Sequence, residues 1–237
     1  MAEALRDKRA IVTGGTRGIG RAIVEALLDE GAWVTFCGQN ENSVASAVSE
    51  LDAPHVFGTG ADVSNEADVA RLFAFAAEKM GGVDILVANA GIGIFQPAGE
   101  LAIEDWKKTV DVNLTGAYLC SREAIRWMKP RGGGFIVHIS SLAARNPFAG
   151  GSAYNASKFG LSGMSEAMML DHRHDGIRVS QIMPGSVDTD FSPRSAGKDS
   201  SWKIAPEDVA QVVIDVLTMP ERTLVSRVEI RPSRPPK

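Results

Sequence analysis

Ala10-Ile-Val-Thr13 runs straight into Gly14-Gly15-Thr16-Arg17-Gly18-Ile19-Gly20, and the next residues carry the apolar spacing of a helix over 18–30. A short apolar strand, a glycine-rich turn and a helix, in that order, make a seat for phosphate. Glycines let the backbone turn tightly and approach a pyrophosphate, while the helix N-terminus offers free N–H groups and a partial positive charge. Gly14, Thr16, Arg17, Gly18, Ile19 and Gly20 are therefore candidate cofactor contacts. The plain alternative is a glycine turn with no ligand, and the strand–turn–helix setting favours dinucleotide binding.

The same rhythm continues along the chain. Strands are expected at Ala10–Thr13, Trp33–Cys37, His55–Phe57, Ile85–Ala88, Phe135–Ile139, Val179–Met183 and Leu224–Ile230. Helices are expected near 18–30, 42–51, 65–80, 104–128, 152–174 and 206–218, with Ser64 before the third and Pro206 opening the last. Val- and Ile-rich strands separated by helices indicate a parallel sheet covered on both sides. The reading is an α/β protein, one doubly wound domain over 1–237 of six or seven parallel strands.

Composition narrows the partners. The 237 residues are 44% hydrophobic, enough for one large core, and the net charge is −4 with no basic run. Nucleic-acid binding is not expected, and no stretch of 18 apolar residues points to a membrane. The charged N-terminus lacks the apolar core of a signal peptide, so a cytoplasmic protein is expected. Cys37 and Cys120 match no metal or redox spacing and read as buried, reduced thiols. The proline-rich tail 232–237 reads as a surface segment.

Tyr154 and Lys158 are four residues apart, and Ser141 lies thirteen residues before the tyrosine. On a helix, positions i and i+4 share a face, so phenol and ammonium can meet. A cation beside a phenol lowers its pKa, and moving it from about 10 to about 7 takes roughly 4 kcal/mol. A tyrosine tuned in that way exchanges protons with an alcohol near neutral pH.

The turn spacing, with three residues between Gly14 and Gly18 and an isoleucine between the last two glycines, resembles the short-chain dehydrogenase/reductase family. The resemblance spans almost the whole chain. Asp62-Val63 resembles the pair that contacts adenine, and Asn89-Ala90-Gly91 the turn beneath the cofactor. Asn113, Ser141, Tyr154 and Lys158 match the family's catalytic positions, and Pro184-Gly185 with Val187 and Thr189 the segment that closes over the nicotinamide. The resemblance implies that Ser141 fixes the substrate oxygen and that Tyr154 is the general acid or base. It further implies that Lys158 lowers the phenol pKa and binds ribose, while Asn113 bends its helix and holds a relay water. Ser140 remains a structural alternative to its neighbour.

Cofactor choice is read at the end of the second strand, where a carboxylate would accept from a ribose 2′-hydroxyl. Gly38-Gln39-Asn40 offers none before Glu41, and Arg17 can bind a 2′-phosphate. These favour NADP(H), although NADP-preferring relatives often carry a second basic residue where Gln39 stands, and NAD(H) stays open. The expected activity is hydride transfer between NADP(H) and a small-molecule carbonyl or alcohol. The alternatives are a 3-oxoacyl thioester reductase and a cofactor-bound regulatory protein without catalysis.

The substrate pocket is expected from Ile92–Phe95, Arg145–Phe148 and the segment 191–204, apolar in its first parts and basic around Arg194 and Lys198. Met183 is a further candidate there. The short 191–204 segment suggests an open pocket for a bulky or carrier-bound substrate. His138 reads as a core residue, His172 and His174 as a solvated helix end, and Met164, Met168 and Met169 as core or subunit contacts. No metal site is expected, since Asp188 and Asp190 lack a third ligand. Helices 104–128 and 152–174 carry apolar residues beyond one stripe, and the resemblance implies that they pair in a homodimer or homotetramer.

Overall fold

The computed structural model describes residues 4–189, 191 and 200–235. Seven parallel strands form one sheet: β1 (Arg9–Thr13), β2 (Trp33–Gly38), β3 (Val56–Gly60), β4 (Ile85–Ala88), β5 (Gly134–Ile139), β6 (Ile177–Pro184) and β7 (Arg227–Ile230). Their order in space is β3-β2-β1-β4-β5-β6-β7. Helices α1 (Gly18–Asp29), α2 (Glu41–Leu51), α3 (Glu66–Met80), α4 (Ile103–Val110), α5 (Gly116–Met128), α6 (Ser152–His172) and α7 (Pro206–Leu217) connect them. This is the expected doubly wound Rossmann-type sheet.

Alternation along each strand builds two cores. In β1, Ala10 and Val12 face one core with Ile23 of α1 and Val213 of α7, while Ile11 faces the other with Leu72 of α3 and Ala124 of α5. Sheet order reverses direction between β1 and β4, and a crevice opens at the carboxyl ends of strands at such a point. Every candidate cofactor or catalytic residue outside the helices lies at those ends or in the turns leaving them.

Several boundaries differ from the expectation. β3 runs on through Gly58 and Gly60, because parallel pairing with Phe36 and Gly38 overrides the low strand preference of glycine. The last strand begins at Arg227, not Leu224, where pairing with Gln181 starts. Helix α3 is capped by Asn65, whose side chain accepts from Ala67 N and Asp68 N, and not by Ser64, whose hydroxyl donates to Asp62 at 2.6 Å. The single helix expected over 104–128 is α4 and α5 joined through a π-helical turn at Asp111–Thr115. His172 ends α6 and pairs with Asp175 at 2.9 Å.

Both cysteines are buried free thiols, and burial pushes Cys37 up to about 11. Met168 is buried in the second core, with Met164 and Met169 packed against it. Among the described residues no helix is long and apolar enough to cross a membrane. Ile103 and Trp106 of α4, Tyr118 of α5, and Phe159 and Leu170 of α6 are large apolar side chains left exposed.

Candidate active site

One cleft of about 1680 Å³ runs along the carboxyl ends of the strands, and every candidate cofactor-binding or catalytic residue except Asn113 lines it. At one end sits the glycine turn. Gly14 and Gly18 have φ of 69° and 57°, left-handed values that glycine adopts freely. A Cβ on Gly20 would lie 2.0 Å from Gly14 O, so that position admits no other residue without moving the turn. Helix α1 begins without a side chain capping its first N–H groups, which face outward as anion donors. The turn therefore fits a pyrophosphate. Arg17 is exposed beside it and makes no side-chain hydrogen bond or ion pair among the described residues.

The turn is tied to β4 by a small network. Thr13 Oγ1 accepts from Asn89 N and Ala90 N, both at 3.0 Å, while Asn89 Nδ2 donates to Thr13 O at 2.9 Å and Gly14 O at 3.2 Å. Across the cleft, Gln39 Nε2 stands 3.5 Å from Asp62 Oδ2. Asp62 is held in place by Ser64, which donates to it from its backbone N–H and its hydroxyl.

At the other end lie Ser141, Tyr154 and Lys158. Ser141 Oγ accepts from Ala143 N at 3.1 Å, so its own hydrogen remains free for the phenol or a substrate oxygen. Lys158 Nζ donates to Ile139 O at 3.0 Å and lies 5.8 Å from the Tyr154 ring centroid. Asn113 sits behind this group on the π turn. Its Oδ1 accepts from Ile92 N at 2.8 Å, and its Nδ2 donates to Ile92 O at 2.9 Å and Ser157 Oγ at 3.1 Å. Ser157 in turn donates to Tyr154 O at 2.8 Å. The asparagine thus clamps the strand-end loop to the helix that carries the tyrosine.

Sequence reasoning missed Ser157 and Asn155, whose Nδ2 donates to Ala143 O at 2.8 Å and braces the Ser141 loop. Their only visible sign was polarity on the inner face of an otherwise apolar helix. It also missed that Arg231, Pro232 and Pro235 line the cleft, in a tail that is otherwise exposed as expected of a surface segment. Met183 is fully buried in β6 and does not line the cleft, which corrects its candidacy for the substrate pocket. Arg194, Lys198 and Asp190 lie outside the described residues. Among those described, no group of three His, Cys, Asp or Glu could hold a metal.

The electrostatics depart from the expected pairing of a cation with a lowered phenol. Burial raises the Tyr154 pKa above its ordinary value, partly offset by the hydrogen bond with Ser141. Burial also lowers Lys158 to about 8. Removing both groups from water outweighs the attraction that spacing alone suggests. His138 is fully buried between Ser121 (2.8 Å) and Ser165 (2.7 Å), and burial holds it down to about 4, as befits a core histidine.

The two adjacent serines are told apart by their partners. Ser140 Oγ is buried and has no hydrogen-bond partner, whereas Ser141 Oγ is engaged at the cleft. An unpaired buried hydroxyl costs about 1–3 kcal/mol. Ser140→Ala is therefore expected to leave the melting temperature unchanged or raise it, as read by thermal denaturation. A clear drop would mean that the hydroxyl has a partner.

Comparison with known proteins gives a single direction. Residues 8–199 match the family model described as short chain dehydrogenase. A 3beta-hydroxysteroid dehydrogenase of Mediterraneibacter gnavus is 39% identical over 195 residues, covering 80% of this chain and 70% of its own. Among solved structures, an alcohol dehydrogenase from the archaeon Thermococcus sibiricus, complexed with 5-hydroxy-NADP, superposes with a TM-score of 0.86 at 27% identity over 97% of this chain and 99% of its own. A 3-ketoacyl-(acyl-carrier-protein) reductase from Brucella melitensis, complexed with NADH, gives 0.88 at 27% identity over 96% and 97%.

Proposed function

Because the chain belongs to the short chain dehydrogenase family of oxidoreductases, which bind NAD(P)(H) and act on small molecules, we propose that it transfers a hydride between NADP(H) and a carbonyl or secondary alcohol. The observation that carries the reading is the meeting of a hydroxyl, a phenol and an ammonium at one end of a cleft whose other end is a phosphate-binding turn. The cofactor, when bound, supplies the hydride. Ser141, its hydrogen not used by Ala143, donates to the carbonyl oxygen and fixes it. Tyr154, kept neutral by burial, gives its proton to that oxygen. Lys158 stands close enough to stabilise the phenolate left behind. Asn113 and Ser157 hold the tyrosine's helix against the loop at Ile92. A 3-oxoacyl thioester as substrate is the second reading, drawn from the likeness to the Brucella reductase.

NADP(H) is preferred over NAD(H) in this reading because the end of β2 carries Gln39 in place of a carboxylate, and Arg17 stands beside it with a free guanidinium. A fluorescence titration tests this. NADPH should bind at least about tenfold tighter than NADH, roughly 1.4 kcal/mol, and Arg17→Ala should close that gap. Equal binding of the two by the unaltered protein would overturn the preference and leave an NAD-linked enzyme.

A further inference from the structure

We propose that the substrate is a rigid, apolar ring ketone or the matching ring alcohol, gripped by an aromatic wall of Phe95, Phe148 and Phe191 around Tyr154. The inference rests on the reading of Tyr154 as the proton donor. The three phenylalanines come from three different connections, after β4, β5 and β6, and all converge on the phenol. Their ring centroids lie 5.5, 6.3 and 5.9 Å from that of Tyr154, tilted by 74°, 48° and 58°. Phe95 and Phe148 also touch each other, at 5.6 Å. None of these pairs is stacked face to face.

Gly93 makes the arrangement possible. A Cβ there would lie 2.5 Å from Phe95 Cζ and 2.8 Å from Phe191 Cε1, so any larger residue would push the two rings apart. Phe148 and Phe191 are 46% and 41% exposed although both line the cleft. Apolar surface on a concave wall is recovered by an apolar guest, and aromatic edges favour a flat partner ring. A rigid ring loses little conformational freedom there, whereas a flexible acyl chain loses much.

Of the cations that line the cleft, Lys203 pairs with Asp188 at 3.4 Å and Arg231 with Glu229 at 2.8 Å, while Arg17, Lys107 and Lys108 are exposed. Lys158 is directed at Ile139 O. The group nearest the reacting carbon, beside the aromatic wall, is expected to be uncharged hydrocarbon.

The test compares 1-decalone and 1-tetralone with ethyl acetoacetate and acetoacetyl-coenzyme A, using NADPH and the full chain. Ring ketones should show kcat/KM at least about tenfold above both open-chain substrates. Phe148→Ala should raise KM for the ring ketones at least about fivefold with kcat nearly unchanged, and Phe148→Leu should recover most of that loss. The rise in KM should be larger for the ring ketones than for ethyl acetoacetate, and NADPH affinity should stay the same. Equal or better turnover of the thioester, or a Phe148→Ala effect shared equally by all four substrates, overturns the proposal. Calorimetry of 1-decalone with the NADP-loaded protein decides the case without turnover. Binding that is lost in Phe148→Ala supports the wall, and no binding overturns it. Reduction of ethyl acetoacetate without ring preference sinks this inference alone. Bound decalone with no carbonyl ever reduced sinks the hydride-transfer reading and leaves the aromatic wall standing.

Discussion

Tyr154→Phe is expected to lower kcat for carbonyl reduction by about 10²–10⁴-fold, the range removed with a positioned proton donor, while leaving NADPH affinity within about twofold. The substitution deletes one oxygen and keeps the ring. Contacts with Phe95, Phe148 and Phe191 survive, so the fold loses only the interaction with Ser141. Stopped turnover with an unchanged melting temperature and intact cofactor binding is the signature sought. The raised phenol pKa adds a direction in pH. Reduction needs the protonated phenol and should hold steady near neutrality, then fall in alkali. Oxidation of the alcohol needs the phenolate and should climb over the same range. A Phe variant that still turns over at a tenth of the normal rate would remove Tyr154 from its role.

Lys158→Met is expected to make the protein more stable at pH 7 and nearly inactive. The ammonium is buried, and its pKa falls from 10.5 to about 8 in the folded chain. That difference amounts to roughly 3 kcal/mol against the fold at neutral pH, order of magnitude only. Below about pH 8 the lysine is charged in both folded and unfolded chains, so the penalty applies in full. Between about 8 and 10.5 the folded chain releases the proton while the unfolded chain keeps it, and stability rises with pH. Methionine removes the penalty but also the hydrogen bond to Ile139 O, worth about 1 kcal/mol. Urea unfolding should therefore show a gain of roughly 2 kcal/mol for the variant at pH 7, shrinking towards pH 10. A variant less stable at pH 7 would contradict the account.

Much of this is legible in the sequence. Parallel strands read clearly because Val- and Ile-rich runs such as Ile85–Ala88 are buried on both faces, and the glycine turn read clearly because few other roles demand glycine at those positions. Sequence spacing also brought Tyr154 and Lys158 to one face. It could not say how dry that face is, and burial reversed the expected direction of the tyrosine shift. Asn155 and Ser157 were hidden because the meetings of Asn155 with Ala143 O and of Ser157 with Asn113 Nδ2 depend on tertiary packing. The tail from Arg231 read as surface from its prolines. The tail is exposed as expected, but Pro232 within it comes close to Gly185, where a Cβ would lie 3.2 Å from its ring, a contact fixed by the pairing of β7 with β6.

The π turn at Asp111–Thr115 also resets the phase of the helix that contains it. A uniform helix would swing Trp106 and Tyr118, twelve positions apart, about 120° away from each other. One additional residue absorbed in the wider turn takes back about 100° of that rotation. The two exposed aromatics then point in nearly the same direction, so a single offset both carries Asn113 inward to its clamp and keeps an outer apolar ridge in line.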